Sequence, residues 1–179
     1  MVERWQVLKS KEVFAAAPWI RVYREQVRLP DGRTVDDYHR IALTDSVIVF
    51  AEAADGRIIV ERQYRHGARV GSLVLPAGGI AVGEEPGAAA RRELLEETGY
   101  RADHWRAIGS FVVHDNYGCG LAHMFAASGA VHVAQPESGD LESIEVVLMD
   151  RAELQRRLIA GEVAVMGSAT CILLGLGWS

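Results

Sequence analysis

Three carboxylates close together in the chain, Glu93, Glu96 and Glu97, are the residues whose type and spacing best suit them for chemistry. An α-helix turns by about 100° per residue, so these side chains fall within an arc of about 100° and share one face. Glutamates three or four positions apart repel each other by about 0.2–0.5 kcal/mol per pair, and Arg92 relieves only part of that repulsion. A divalent cation bound by their oxygens would relieve the rest. The alternative is an acidic helix face that simply lies in solvent.

The residues around the carboxylates predict the helix that must position them. Pro86 suits a first helical turn, where its missing N–H costs nothing. Gly99 suits the left-handed conformation that often ends a helix. We therefore expect a helix over 86–98, with Leu94 and Leu95 turned away from the carboxylates toward a core.

The stretch over 78–100 resembles the Nudix box, which reads G, five residues, E, seven residues, REU, one residue, EE, one residue, GU, where U is bulky and apolar or aromatic. Each fixed position is filled here, by Gly78, Glu84, Arg92, Glu93, Leu94, Glu96, Glu97, Gly99 and Tyr100. The resemblance to Nudix hydrolases implies an α/β fold, in which a mixed β-sheet lies between helices in an α/β/α sandwich.

Nudix hydrolases use Mg²⁺ or Mn²⁺ to hydrolyse a nucleoside diphosphate linked to another group, and the resemblance carries this chemistry to the acidic helix. It implies four metal ligands, the carboxylates of Glu93, Glu96 and Glu97 and the backbone carbonyl of Ala77. Oxygen ligands suit such hard cations, which neutralise charge on phosphate and acidify a bound water. By the same resemblance, Arg92 orients a carboxylate and Glu84 anchors the loop before the helix.

A hydrolase also needs a proton acceptor for its water. In the sugar-nucleotide branch this residue tends to come from an acidic loop well after the box, just before a strand. Glu142 is the first candidate for the base or an additional metal ligand, and Asp140 is the second. Glu145 begins the strand and is expected to face solvent.

The likeness extends beyond the box to the ADP-ribose pyrophosphatase and nucleotide-sugar branch. It rests on LPDG at 29–32, ERQYR at 61–65 and LPAG at 75–78. The arginine that matches Arg65 contacts the diphosphate in that branch, a role suited to its planar donor fork. Two departures leave the base and sugar open. Val74 stands where the branch usually has Glu, and Asp115 and Asn116 stand where ADP-ribose enzymes usually have Pro.

The amino-terminal part of the chain predicts an antiparallel β-hairpin. Residues 19–29 alternate apolar with polar side chains, a turn follows at 30–32, and 34–43 continue as a second strand. Trp19 and Arg40 are candidates for contact with the substrate or with a second subunit. Because the amino-terminal strands of the branch often exchange between subunits, we expect a homodimer. A single Nudix domain is expected over 1–179, with a dimerising β appendage at 1–43 and a catalytic core at 44–179.

The rest of the chain reads as further strands and two helices. Apolar runs and alternation predict strands at 46–51, 58–65, 72–76, 107–113, 121–127 and 142–149. A turn-rich loop at 114–120 is expected near the site. Helical spacing and an apolar stretch predict helices at 151–161 and 167–178.

Composition excludes several classes of protein. The formal net charge of −5 makes non-specific nucleic-acid binding unfavourable. No uninterrupted apolar run approaches the length of a membrane span, and the charged start lacks an apolar signal region. Two cysteines, Cys119 and Cys171, are too few and too far apart for a disulfide framework, so free thiols and a cytoplasmic location are expected.

The sequence thus predicts metal-dependent hydrolysis of a nucleotide sugar such as ADP-ribose to a nucleoside monophosphate and a sugar phosphate. The first alternative is a Nudix enzyme that acts on nucleoside triphosphates or dinucleoside polyphosphates. The second, from another class, is a module that binds ADP-ribose without cleaving it. Such a module is expected to have lost box carboxylates, which this chain keeps.

Overall fold

A computed structural model describes residues 3–139 and 143–177 of the chain. Within it the chain divides into two compact units. The first comprises the residues up to Asp45 together with 112–121, and the second comprises 46–111 and the residues from 122 onward.

The described residues form eleven strands and three helices. The strands are β1 (Gln6–Ala16), β2 (Ile20–Arg28), β3 (Thr34–Leu43), β4 (Ser46–Ala53), β5 (Ile58–Arg65), β6 (Val70–Val74), β7 (Ala77–Gly79), β8 (Tyr100–Arg101), β9 (His104–His114), β10 (Gly118–His132) and β11 (Ile144–Met149). The helices are α1 (Pro86–Thr98), α2 (Arg151–Ile159) and α3 (Met166–Leu176).

The first unit is built on antiparallel strands. The expected hairpin is confirmed as β2 and β3, and β1 adds a further antiparallel strand on the other side of β2. Gly32 has φ 88° at the turn between β2 and β3, a conformation that glycine adopts without steric cost. The first residue of β10, Gly118, pairs in parallel with Ile41.

The second unit contains a mixed sheet in which two consecutive strands splay apart. β4 pairs with β5 only near Ala51 and Glu52. The β6–β7 segment fills the gap, because β6 pairs with β5 while β7 pairs with β4. β10 lies parallel to β4, and β11 lies antiparallel to β5. This insertion holds the start of the box, at Ala77 and Gly78, inside the sheet rather than in a free loop.

Helices cover both faces of this sheet, so the predicted α/β/α arrangement is confirmed within the unit. Alternate residues of β4 belong to two different buried clusters. Val47 and Val49 share a cluster with Ala89 and Leu94 of α1. Ile48 and Phe50 belong to the opposite cluster, with Leu154, Cys171 and Ile172 of α2 and α3. The period of two along a strand therefore builds two cores from one run of apolar residues.

α1 has the predicted bounds, and Gly99 at its end has φ 73° with its N–H donating to the Leu95 carbonyl. Leu94 is fully buried as expected. The expectation for Leu95 was wrong, because this side chain is only partly buried. The helix turns its Glu93 and Glu97 face toward the protein, and that rotation leaves Leu95 on the outer side.

Several predicted boundaries moved. The loop expected at 114–120 is reduced to a short turn at 115–117, because β9 and β10 continue on either side of it. Cys119 has φ 61° between two glycines with positive φ, so this part of β10 is irregular. Both cysteines are free thiols, as expected, and burial raises the pKa of Cys171 to about 12. Among the described residues, no helix is long and apolar enough to cross a membrane.

Candidate active site

Two of the three box carboxylates of α1, those of Glu93 and Glu97, are buried against the protein. Glu93 is 8% exposed and Glu97 is 4% exposed, whereas Glu96 lies at the rim of the helix and is partly exposed. Burial of a carboxylate is costly unless hydrogen bonds or cations compensate it. The face predicted for metal binding is therefore also the face that most needs positive charge or donors.

Gly78 makes room for the first of these carboxylates. A Cβ atom added at this position would lie 2.2 Å from the Glu93 carboxyl carbon and 2.2 Å from its Oε1 atom. The Glu93 carboxylate thus occupies the space that any other residue at position 78 would fill. This close approach explains why a glycine is needed here, and it fixes the carboxylate against β7.

The strand before the helix supplies a backbone donor to the second carboxylate. The Ala77 N–H donates to Glu97 Oε2 over 2.7 Å. Ala77 also pairs with Ile48 of β4, so its backbone is fixed in the sheet. The residue whose carbonyl was predicted as a metal ligand therefore lies directly beside Glu97.

Arg92 connects three carboxylates of the box, those of Glu84, Glu93 and Glu96. Its Nη1 atom lies 2.6 Å from Glu93 Oε1 and 3.0 Å from Glu96 Oε2. Its Nε and Nη2 atoms each donate to Glu84 over 2.9 Å, and Nη2 also donates to the Gly79 carbonyl. These contacts use all five N–H groups of a guanidinium. Arg92 therefore holds the carboxylates and the glycine loop in one network, as the resemblance implied.

The same network perturbs Glu84. Hydrogen bonds from Arg92 and from the Ala81 N–H lower the pKa of Glu84 to about 2. Hydrogen bonds to Glu84, Glu93 and Glu96 in turn raise the pKa of the Arg92 guanidinium. Both groups are thus ionised throughout the range in which a hydrolase works, and the loop before α1 is anchored through a full ion pair.

The oxygen donors at this site suit a hard divalent cation. Glu93 and Glu96 meet at Arg92 Nη1, Glu97 accepts from the Ala77 N–H, and Glu93 fits into the space left by Gly78. Within 3–139 and 143–177, no three acidic, histidine or cysteine side chains are already arranged as a metal cluster. The donor chemistry fits Mg²⁺ or Mn²⁺, with Arg92 holding Glu93 and Glu96 in the described arrangement.

A row of polar residues on β5 faces the same side of the sheet as α1. Ile59 of β5 packs in the cluster that contains α1. Glu61, Gln63 and Arg65 lie two, four and six positions after Ile59, so they form a row on the same face of the strand. Glu61 is 1% exposed and Gln63 is 3% exposed. Arg65, the predicted diphosphate contact, donates from Nη1 to Gln63 Oε1.

Val74, which stands where the branch usually has Glu, lies beside this row. Val74 pairs with Glu61 across β5 and β6, and it is 4% exposed. Directly paired residues of antiparallel strands place their side chains on the same face. The chain therefore buries a carboxylate next to the position where the branch usually has one.

The two candidate bases, Glu142 and Asp140, lie outside the described residues. The chain on either side of them is held near the box and the β5 row. The Glu137 N–H donates to the Glu96 carbonyl over 2.8 Å, and Ile144 at the start of β11 pairs with Gln63. Glu145 is exposed, as expected, and its carboxylate pairs with Arg62 at 3.2 Å.

The other two predicted substrate contacts belong to the first unit. Arg40 bonds to the buried Glu25 carboxylate at 3.1 Å and lies over the Tyr23 ring at 4.4 Å. Trp19 is 75% exposed at the turn between β1 and β2. Arg40 is thus engaged within its own unit, whereas Trp19 offers an uncovered aromatic surface.

Sequence reasoning gave no role to Glu61 or Gln63, although both stand in the ERQYR stretch. A signal was present, because Glu61, Gln63 and Arg65 alternate with period two and so share one strand face. What the sequence did not reveal is that this face lies toward α1 and that Glu61 and Gln63 are buried.

Comparisons with known proteins agree with the box and with the amino-terminal strands. The NUDIX domain family matches residues 42–165, and the nucleoside diphosphate sugar hydrolase N-terminal domain matches residues 5–41. An ADP-ribose pyrophosphatase of Bacillus subtilis (strain 168) is 31% identical over 149 residues, which cover 81% of this chain and 80% of that protein.

Two further proteins are similar over almost the whole chain. A CMP-5'-(N-acetyl-N-hydroxy-3-aminopropyl)phosphonate hydrolase of Streptomyces rubellomurinus is 28% identical, covering 97% of this chain and 84% of that one. A crystal structure of an ADP compounds hydrolase superposes with a TM-score of 0.86 at 20% identity, covering 99% of this chain and 95% of the other. The structural likeness at this identity establishes the fold.

Proposed function

The chain belongs to the Nudix family, and from that premise we propose that it hydrolyses the diphosphate of a nucleoside diphosphate sugar resembling ADP-ribose. The products are a nucleoside monophosphate and a sugar phosphate. The observation that carries the proposal is the acidic site itself, in which Glu93 fills the space over Gly78 and Glu97 accepts from the Ala77 N–H.

Glu93, Glu96, Glu97 and the Ala77 carbonyl would hold Mg²⁺ or Mn²⁺. When bound, such a cation neutralises charge on phosphate oxygens and lowers the pKa of a coordinated water. Arg92 keeps Glu93 and Glu96 oriented, and the Glu84 anchor keeps the glycine loop against the helix. Arg65 binds the diphosphate, since a guanidinium matches phosphate oxygens with two parallel donors.

We assign the proton acceptor to Glu142, with Asp140 as the second candidate. The described chain on both sides supports this assignment, because Glu137 is bonded to the end of α1 and Ile144 is paired beside Gln63. Residues 140–142 thus connect two segments that adjoin the metal-binding and diphosphate-binding groups. Arg40 and Trp19 remain proposed contacts for the rest of the substrate or for a second subunit.

We also propose a homodimer formed through the amino-terminal appendage at 1–43, with the catalytic core at 44–179 in one Nudix domain. Ten of the eleven residues of β1 are exposed, including Val7, Val13 and Phe14, which are 47–55% exposed. An apolar strand of this kind is expected to be covered in solution. Light scattering after size exclusion at micromolar concentration tests this, and a monomer mass would remove the proposal. The cytoplasmic location stays a prediction.

A substrate panel tests the proposed reaction. The chain is incubated with Mg²⁺ or Mn²⁺ and ADP-ribose, other nucleotide sugars, nucleoside triphosphates or dinucleoside polyphosphates, and a coupled phosphatase reports product. We expect nucleotide sugars to give the highest kcat/KM. Preference for triphosphates or dinucleotides would favour the first alternative, and tight ADP-ribose binding without turnover would favour a binding module.

Glu97→Gln tests the metal assignment. It keeps the size and an acceptor for the Ala77 N–H but removes a charge, so we expect kcat to fall at least about 100-fold and Mn²⁺ binding to weaken. Glu145→Gln is the matched control, since Glu145 is an exposed glutamate paired with Arg62 outside the cluster. Unchanged turnover in Glu97→Gln would refute the metal assignment.

Glu142→Gln tests the proposed base. It should reduce kcat and retain Mn²⁺ binding if Glu142 acts as the base alone.

A further inference from the structure

We propose that Gln63 is a positioning residue for Arg65, holding its guanidinium toward the diphosphate by a hydrogen bond that leaves the arginine charge unneutralised. This inference rests on the proposed function. It concerns a buried side chain that the acidic helix and the glycine loop do not use.

The backbone of Gln63 is fixed from both sides. It pairs with Ser72 of β6 and with Ile144 of β11, so the residue occupies a central position in the sheet. Its side chain is 3% exposed and packs on the same face as α1. A buried amide in a central strand has little freedom to reorient, so its carbonyl oxygen is a stationary acceptor.

Arg65 needs such an acceptor because its side chain is only partly buried, although its backbone is held. It is the last residue of β5, where it pairs with Val70, and the chain then turns back through 66–69. Its carbonyl accepts from the Arg69 N–H over 2.8 Å within that turn. An arginine side chain has many rotamers, and ordering them costs binding free energy unless another contact has already selected one.

The hydrogen bond between Gln63 and Arg65 selects one rotamer of the arginine side chain. Arg65 Nη1 lies 2.5 Å from Gln63 Oε1, and the two residues are separated by one position along the strand, so both point to the same face. Hydrogen bonds that involve an ionised group are shorter and stronger than neutral ones. The bond therefore restricts the guanidinium on the side of the sheet that carries the box.

The neutrality of the glutamine matters as much as its position. A carboxylate at position 63 would hold Arg65 equally well but would also cancel its charge and repel phosphate oxygens. An apolar side chain would leave the charge but release the guanidinium. Glutamine orients the guanidinium and leaves its charge free to bind phosphate. A carboxylate at position 63 should therefore weaken binding by cancelling the charge of Arg65, and an apolar side chain should weaken it by releasing the guanidinium.

The test is a double-mutant cycle with Gln63→Leu and Arg65→Ala. We measure kcat and KM for ADP-ribose with Mg²⁺, and the Kd of ADP by calorimetry in EDTA, where no metal-dependent turnover occurs. In the otherwise unchanged chain, Gln63→Leu should raise KM and Kd about tenfold with a smaller change in kcat. In the Arg65→Ala background it should change them less than twofold.

Gln63→Glu and a control on the same strand complete the design. Gln63→Glu should weaken ADP at least as much as Gln63→Leu, because the added carboxylate pairs with Arg65. Arg62→Gln is the control, since Arg62 directly precedes Gln63, faces the opposite side of β5 and pairs with Glu145. It should leave KM and Kd within twofold, and thermal unfolding identifies any variant that does not fold.

The outcomes separate this inference from the proposed function. If Gln63→Leu has the same effect in the unchanged chain and in Arg65→Ala, Gln63 acts independently of Arg65. If it has no effect in either chain, Gln63 does not contribute to binding. Each of these results would overturn the inference. Absence of turnover on all nucleotide sugars would overturn the proposed function instead, and ADP binding in EDTA would still decide the role of Gln63.

Discussion

Gly78→Ala is the change for which the structure gives the sharpest expectation. The added Cβ atom would lie 2.2 Å from the Glu93 carboxyl carbon, whereas ordinary contact begins at 3.4 Å. The carboxylate is the far end of a flexible side chain, so it can move while the backbone of β7 stays paired with β4. The substitution should therefore displace a metal ligand by about 1.2 Å without unfolding the sheet.

The expected magnitudes follow from this displacement. Moving Glu93 breaks its 2.6 Å contact with Arg92, a charge-assisted bond that contributes about 1–2 kcal/mol when partly exposed to solvent. For a chain of this length that lowers Tm by about 2–8 °C. Metal ligands tolerate errors of about 0.2 Å, and a misplacement of about 1 Å at a reacting site costs on the order of 100-fold in rate. Activity should thus fall far more than stability.

The assay compares kcat/KM for ADP-ribose with Mg²⁺, Mn²⁺ affinity and Tm in the unchanged chain, Gly78→Ala and Gly71→Ala. Gly71 lies in β6, and a Cβ added there meets nothing within 4 Å. Gly71→Ala should retain kcat/KM within about twofold. If Gly78→Ala retains kcat/KM and Mn²⁺ affinity within about threefold of the unchanged chain, Glu93 is not the metal ligand that we assign.

Two further predictions concern buried or bonded carboxylates. The pKa of Glu84 is lowered to about 2 from its ordinary value of 4.5, so its stabilising effect is present above about pH 4.5 and is lost as the pH falls toward 2. The Tm difference between the unchanged chain and Glu84→Gln should be constant above about pH 5 and shrink below pH 4.5; a difference at pH 2.5 that is as large as at pH 6 would contradict the ion pair. Val74→Glu places a second buried carboxylate beside Glu61, where paired Cβ atoms are about 4.5–5.5 Å apart, and should destabilise the chain by about 3–5 kcal/mol. Adding Glu61→Val should restore most of this loss in urea unfolding, and equal stabilities of the single and double variants would show that the two positions do not interact.

The sequence was most informative where local chemistry decides the structure. Pro86 and Gly99 bounded α1 correctly, because a missing N–H and a left-handed backbone are properties of single residues. The alternation of 19–29 identified β2, and the box spacing placed Glu93, Glu96 and Glu97 together. Leu95 was misplaced because helical periodicity gives the angle between side chains but not the absolute rotation of the helix against a sheet.

By itself the sequence determined the family and the acidic helix, since these depend on residue types at fixed spacing. Only the tertiary structure decided which groups face each other across the sheet. Glu61 lies beside Val74, and Gln63 beside Arg65, on the side that carries α1. The insertion of β6 and β7 between β4 and β5 brings Ala77 to Glu97, although the two are twenty positions apart. Such contacts depend on strand order and register, which arise from many weak long-range interactions and leave no local pattern in the chain.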